Sequence, residues 1–179
     1  VGAGGIGANA IQGAKLAGAR VIAAIDPVEF KREKAMQFGA THTFASIEEA
    51  QAALGDVTWD RGYDEIIMTM GTGDSETLGQ AFNLGGKKSK IVVTNLHGTS
   101  ETQIQIPAIM LTMMEKQLRG SLFGSASIRR DIPRLFELYL QGQLDLDGLI
   151  TKTYSLDDIN EGYEAMRAGE NIRGVIVYE

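Results

Sequence analysis

The sequence predicts an α/β fold, a doubly wound parallel sheet with helices on both faces, and three observations predict it. The chain opens on a glycine-rich turn, Gly2, Gly4, Gly5 and Gly7, that runs into an amphipathic helical pattern. Apolar strand-like runs then alternate with helix-like runs along most of the chain. An aspartate, Asp26, ends the first apolar run after the turn, where a nucleotide-binding sheet needs an acidic group. These features read as a Rossmann-type sheet that lacks most of its first strand, because only Val1 stands ahead of the turn.

The elements follow in order. A first helix is expected from about Gly5 to Ala17, with Ile6, Ala10, Ile11, Ala14 and Ala17 on its buried side. Residues 20–26 form a strand whose near-continuous apolarity suits burial on both faces. A helix over 27–38 ends at Gly39, a C′ glycine, and residues 41–44 make a short strand. Ser46 with Glu49 reads as a capping box opening a helix that stops near Gly55. A strand over 64–70, a turn over 71–76, a helix through Leu84 and a strand over 90–94 come next. Gln103, Ile104, Gln105 and Ile106 alternate at period two and predict an edge strand. A helix over 107–114 and a strand over 118–123 follow it. The last third changes character: a helix over about 131–141, a strand over 150–154, a helix from Ser155 to Gly169, and a final strand over 173–178. The expected organisation is a nucleotide-binding domain over 1–123 and a C-terminal segment over 124–179.

Composition bounds the chemistry. At 179 residues the chain is one ordinary domain, or one with part of another. A net charge of −6 without a basic stripe argues against nucleic acid and anionic membrane as partners. No apolar run approaches the roughly 20 residues of a membrane span, and no signal peptide is visible. With no cysteine there is neither disulfide nor thiolate metal site, so a cytoplasmic location is expected.

The glycines have separable tasks. Gly2 permits a tight turn, Gly4 lets backbone approach a pyrophosphate, and Gly7 lets the helix press on the sheet. The free N–H groups at the helix start then face phosphate oxygens. Asp26 stands 19 positions after Gly7 (26 minus 7), close to the spacing of an acidic residue that accepts from the adenosine ribose hydroxyls. A carboxylate there repels a 2′-phosphate, which favours NAD over NADP. The competing readings of the motif are a domain for another nucleotide, such as a methyltransferase, or one that binds none.

The stretches at 2–7 and 12–20, Asp26-Pro27 with Lys31 to Lys34, and the stretch at 38–42 resemble the medium-chain zinc-dependent alcohol dehydrogenases. The tail agrees at 156–163 and 167–173, so the resemblance spans the whole chain in order. Several stretches resemble the actinobacterial branch that keeps NAD tightly bound and is reoxidised by an artificial nitrosoaniline acceptor. The resemblance implies that Gly2, Gly4, Gly5 and Gly7 carry the phosphates and that Ile6 backs the nicotinamide side of the turn. It implies Asp26 on the adenosine ribose with Lys31 beside it, and Thr69, Met70 and Gly71 at the adenosine end. Val93, Ser121 and Phe123 would present backbone groups to the nicotinamide carboxamide, and Arg173 would lie near the pyrophosphate. Thr94, Asn95, Leu96 and His97 depart from the small apolar and proline residues of the family.

The family draws its zinc sites and most of its substrate pocket from an N-terminal domain, within which the final strand pairs. The expectation is therefore a piece of a longer enzyme, inactive alone, with zinc only in the other domain and no catalytic residue or metal ligand here. Family cofactor domains join their sheets, which implies a homo-oligomer, assigned to edge strand 103–106. The alternatives are a non-catalytic NAD/NADH-sensing module and a zinc-free quinone reductase of the same superfamily; Asp26 disfavours the NADPH that the latter prefers.

Other constellations have plainer explanations. His42 and His97, the only histidines, are too few for a zinc site without cysteine. Asp157 and Asp158 suit a helix start, Lys87, Lys88 and Lys90 a solvated turn, and the methionines core filling.

Overall fold

The computed structural model describes residues 1–178. Val1 and Gly2 join two sets of parallel strands. The Val1 amine donates to Ile67 O (2.8 Å) and Thr69 N–H donates to Val1 O (2.8 Å). Gly2 N–H donates to Ile25 O on the other side (2.7 Å). The chain then enters α1 (Gly5–Leu16), crosses to β1 (Ala23–Ile25), and returns through α2 (Glu29–Phe38) to β2 (His42–Phe44). β1 and β2 pair in parallel. Two short helices follow, α3 (Ile47–Ala52) and α4 (Leu54–Thr58), and then β3 (Tyr63–Met68). Next come β4 (Thr72–Gly73), α5 (Ser75–Leu84), β5 (Gly85–Val93), β6 (Leu96–His97), α6 (Ala108–Met113) and β7 (Gln117–Gly120). β3, β5 and β7 form a parallel sheet in that order, and β4 pairs with β6. Strands thus run outward on both sides of Val1 and Gly2, the reversal point at which open α/β sheets bind ligands.

Each face has its own core. On one, Ala8 and Ile11 of α1 pack with Ala24 of β1 and with Ala35 and Phe38 of α2. On the other, Ile47 and Ala50 of α3 meet Leu78 and Phe82 of α5 over Ile66, Met68 and Ile91. Met68, Leu78, Phe82, Leu84 and Ile91 are fully buried, a stabilisation of roughly 1.5–3 kcal/mol each before ordering costs.

The remainder runs from a 3₁₀ turn (Phe123–Ser125) through α7 (Ile128–Leu140), a second 3₁₀ turn (Asp147–Leu149) and β8 (Ile150–Tyr154) to α8 (Ile159–Ala168) and β9 (Arg173–Ile176). Leu149 and Ile172 from this tail belong to the same core cluster as α1. A reciprocal amide contact adds to it: Gln12 Nε2 donates to Asp145 O (2.9 Å) and Asp145 N–H donates to Gln12 Oε1 (2.7 Å).

Several expectations are corrected. Residues 103–106 form no strand. Gln105 N–H donates to Ser75 Oγ (2.9 Å), which lays the segment on α5, and Ile106 packs into the second core. The outer strand of the sheet is β7. The helix opened by Ser46 does not stop near Gly55; after a break at Ala53 it continues as α4 to Thr58, where Trp59 turns left-handed (φ 53°). Lys87, Lys88 and Lys90 lie in β5, not in a turn, and Lys90 pairs with Glu65 (2.8 Å). The last strand has β8 along one edge, which leaves the expected pairing with another domain to its other edge. On α1 the buried side is Gly7, Ala8, Ile11 and Gln12, while Ile6 is exposed and Ala10, Ala14 and Ala17 face an opening between β1 and β3.

Candidate functional site

The site grows from the turn between Val1 and α1. Gly2 has φ +90°, and a Cβ there would stand 2.7 Å from Met70 N, so only glycine fits. A Cβ on Gly7 would overlap Gly2 O, which lets α1 cross the turn closely. A Cβ on Gly4 meets nothing within 4 Å; its surroundings are open. The start of α1 has neither a side-chain cap nor an acidic residue in its first turn. Its N–H donors and positive dipole end therefore face that open space, suited to an anion. Arg173 adds positive charge, for its Nη2 lies 3.4 Å from where a Gly5 Cβ would be. β9 and α1 thus meet at one end of the sheet.

Asp26 lies beside this turn and is buried. Its Oδ2 accepts from Ala3 N–H (2.8 Å) and its Oδ1 from Val28 N–H (3.0 Å). A carboxylate has about four acceptor positions, so two backbone bonds leave capacity for hydroxyl donors. Arg32 Nη1 braces the same loop by donating to Asp26 O (2.9 Å) and Pro27 O (2.8 Å). Lys31 Nζ lies 3.5 Å from where a Gly169 Cβ would be, at the end of α8. Ala3, Val28 and Arg32 escaped sequence reasoning: the first two act through backbone, and Arg32 sat in a basic run whose members look alike.

Thr69 is spent on the turn itself. Its hydroxyl donates to Gly2 O (2.6 Å) and lies 3.1 Å from Val1 O, making it a support under the glycines. Met70 follows against Gly2, and Gly71 is open. At the ends of β5 and β7, Ser121 N–H donates to Val93 O (2.9 Å), so these groups are already paired. Ser121 Oγ contacts Ser125 Oγ (3.1 Å), and Phe123 is 86% exposed with φ 50°. Among the expected positions, the structure brings the glycines, Asp26, Thr69, Met70 and Arg173 together, while Ile6 and Phe123 project outward.

The segment after β5 is also accounted for. Thr94 Oγ1 donates to Met68 O (2.8 Å), and Asn95 and His97 crowd against Gly73 across the β4–β6 pairing. The Asn95 amide and His97 Nε2 are buried without a hydrogen-bond partner. His42 Nδ1 contacts Thr41 Oγ1 (2.9 Å), and Asp158 accepts from Ser155 Oγ (2.7 Å) at the start of α8. No group of three or more His, Asp or Glu among the described residues could hold a metal ion.

Sheet order, open glycine turn and adjacent carboxylate define a Rossmann-type α/β protein. The chain belongs to the zinc-binding dehydrogenase family, whose model matches residues 5–141. Actinobacterial alcohol dehydrogenases stand among its relatives. It is 47% identical over 177 residues to the NDMA-dependent alcohol dehydrogenase of Amycolatopsis methanolica, covering 99% of this chain and 48% of that protein. It is 39% identical over 178 residues to alcohol dehydrogenase B of Mycobacterium tuberculosis strain H37Rv, with the same coverage. The crystal structure of benzyl alcohol dehydrogenase from Acinetobacter calcoaceticus superposes with a TM-score of 0.88 at 33% identity, over 98% of this chain and 47% of that one. The chain spans about half the length of the curated relatives it matches.

Proposed function

We propose that this chain is the nucleotide-holding part of an NAD-dependent alcohol dehydrogenase. It comprises a dinucleotide-binding domain over 1–123 and a segment over 124–179 that packs toward a catalytic half. The observation that carries the reading is the 2.8 Å bond from Ala3 N–H to Asp26 Oδ2, which fixes the acid beside the open glycine turn. Pyrophosphate would lie over Gly4, Gly5 and Gly7 with Arg173 above Gly5. Gly2 and Thr69 would shape the turn beneath it. Asp26 would accept from the ribose hydroxyls, with Lys31, Met70 and Gly71 at the adenosine end. Ile6, Val93, Ser121 and Phe123 would border the nicotinamide.

The bound nicotinamide would supply the hydride acceptor. This chain's residues bind and orient it, and none is assigned as general acid or base. In this reading the zinc that polarises a small alcohol or aldehyde belongs to the catalytic half. The enzyme works in the cytoplasm, away from nucleic acid and membrane, as a homo-oligomer. The absence, among the described residues, of a helix long and apolar enough to cross a membrane is compatible with that setting. The exposed outer edge of β7 is the candidate for joining copies, in place of 103–106.

Asp26→Ser tests the reading in an enzyme carrying both halves. The ratio of NADP to NAD affinity rises by roughly tenfold or more as the like-charge repulsion goes. Unchanged selectivity removes Asp26 from its role.

A further inference from the structure

The chain leaves the sheet at Asp26, whose N–H still bonds to β2 through Phe44 O (3.1 Å). α2 opens at Glu29, where Val28 O accepts from Lys31 N–H (3.1 Å) and Arg32 N–H (3.2 Å). The acid therefore hangs on the short turn between them. Pro27 has no N–H, and Val28 N–H donates to Asp26 Oδ1 (3.0 Å). Among the described residues no backbone N–H reaches the carbonyls of Asp26 or Pro27. One atom serves both. Arg32 Nη1 donates to Asp26 O (2.9 Å) and to Pro27 O (2.8 Å). Arg32 forms no ion pair among the described residues, so this turn is what its guanidinium holds.

Pro27 C=O and Val28 N–H belong to one peptide group, which is planar and turns as a unit. Arg32 grips its oxygen, and Asp26 Oδ1 takes its hydrogen. If the plane rotated, Val28 N–H would leave the carboxylate, and only Ala3 N–H would still fix that group. We propose that Arg32 is a positioning residue for nucleotide recognition: by locking the Pro27–Val28 peptide it aims the Asp26 carboxylate at the ribose hydroxyls. The inference rests on the reading of Asp26 as the ribose acceptor. It adds a residue that touches no nucleotide and acts only through that acid.

Arg32→Met keeps a straight stem that suits a helix and removes every donor. In an enzyme carrying both halves, the Kd for NAD should rise roughly fivefold or more by calorimetry. Arg32→Lys keeps a cation with three donors and should stay within about twofold of the parent. In the nucleotide-free enzyme, exchange at the Val28 amide should quicken by at least roughly tenfold in Arg32→Met and not in Arg32→Lys. In the Asp26→Ser background, Arg32→Met should change NAD affinity by less than about twofold, because the group it serves is gone. A cation acting directly on the nucleotide, or a general prop of α2, would weaken NAD equally in both backgrounds. That equality overturns the proposal, and so does unchanged Val28 exchange in Arg32→Met. Either result leaves the Asp26 reading standing if Asp26→Ser alone still shifts the choice between NAD and NADP. Asp26→Ser without effect on either nucleotide overturns that reading and this inference with it.

Discussion

Gly2 and Gly4 stand two positions apart and bear different loads. Gly2 is held by the fold: φ is +90° and Met70 backbone sits where a methyl would go. Gly2→Ala should cost roughly 2–4 kcal/mol, read from denaturant unfolding. Gly4 has an ordinary φ of −71° and open space beside it. Gly4→Ala should leave stability within about 0.5 kcal/mol while weakening NAD binding by roughly tenfold or more, read by calorimetry on an enzyme carrying both halves. Stability loss at both positions would mean that the turn serves folding alone. Arg173 belongs with Gly4 in this respect, since its guanidinium gathers beside Gly5 without an ion-pair partner among the described residues.

Among the elements, α5 shows how one buried charge holds a helix end. Lys116 donates to Phe82 O (2.8 Å) in the last turn of α5, with its Nζ 4.4 Å from the Phe82 ring centroid. Burial pushes its pKa below the usual lysine value. The unfolded chain then binds more protons between the lowered value and 10.5, so stability rises with pH through that alkaline window. Lys116→Met should cost roughly 1–2 kcal/mol at neutral pH and lose that rise, measured by denaturant titrations at several pH values. The helices and caps around it were legible because their signals are local. Gly39 and Gly169 are left-handed at helix ends, and Ser46 accepts from Glu49 N–H. What local pattern hides is partnership. Residues 103–106 alternate like a strand, but Ser75 takes Gln105 N–H. Similarly, nothing in the wording of the last strand tells that β8 is its neighbour. In the candidate site, spacing points to the turn and Asp26, whereas Thr69 as a prop and Arg32 as a brace emerge only from the folded chain.

Across the whole molecule the unsatisfied surface is apolar. Ile128, Ile132, Leu135, Phe136 and Leu140 form an exposed stripe on α7, and Ile109, Met113, Leu122 and Phe123 are exposed as well. Monomeric proteins seldom leave so many large apolar groups in water. The chain by itself should associate at tens of micromolar, and Phe136→Glu with Leu140→Lys should shift it toward single copies in sedimentation velocity. An unchanged profile would move the association to another surface, such as the β7 edge.

The Gln12–Asp145 contact has a different reach. Its two bonds span 133 positions, tying a helix near the chain's beginning to a loop in its last quarter. The two places are consequently one unit of inheritance. A chimaera that borrows its tail from a cousin must borrow residue 12 as well, or the graft will sit loosely on its new host.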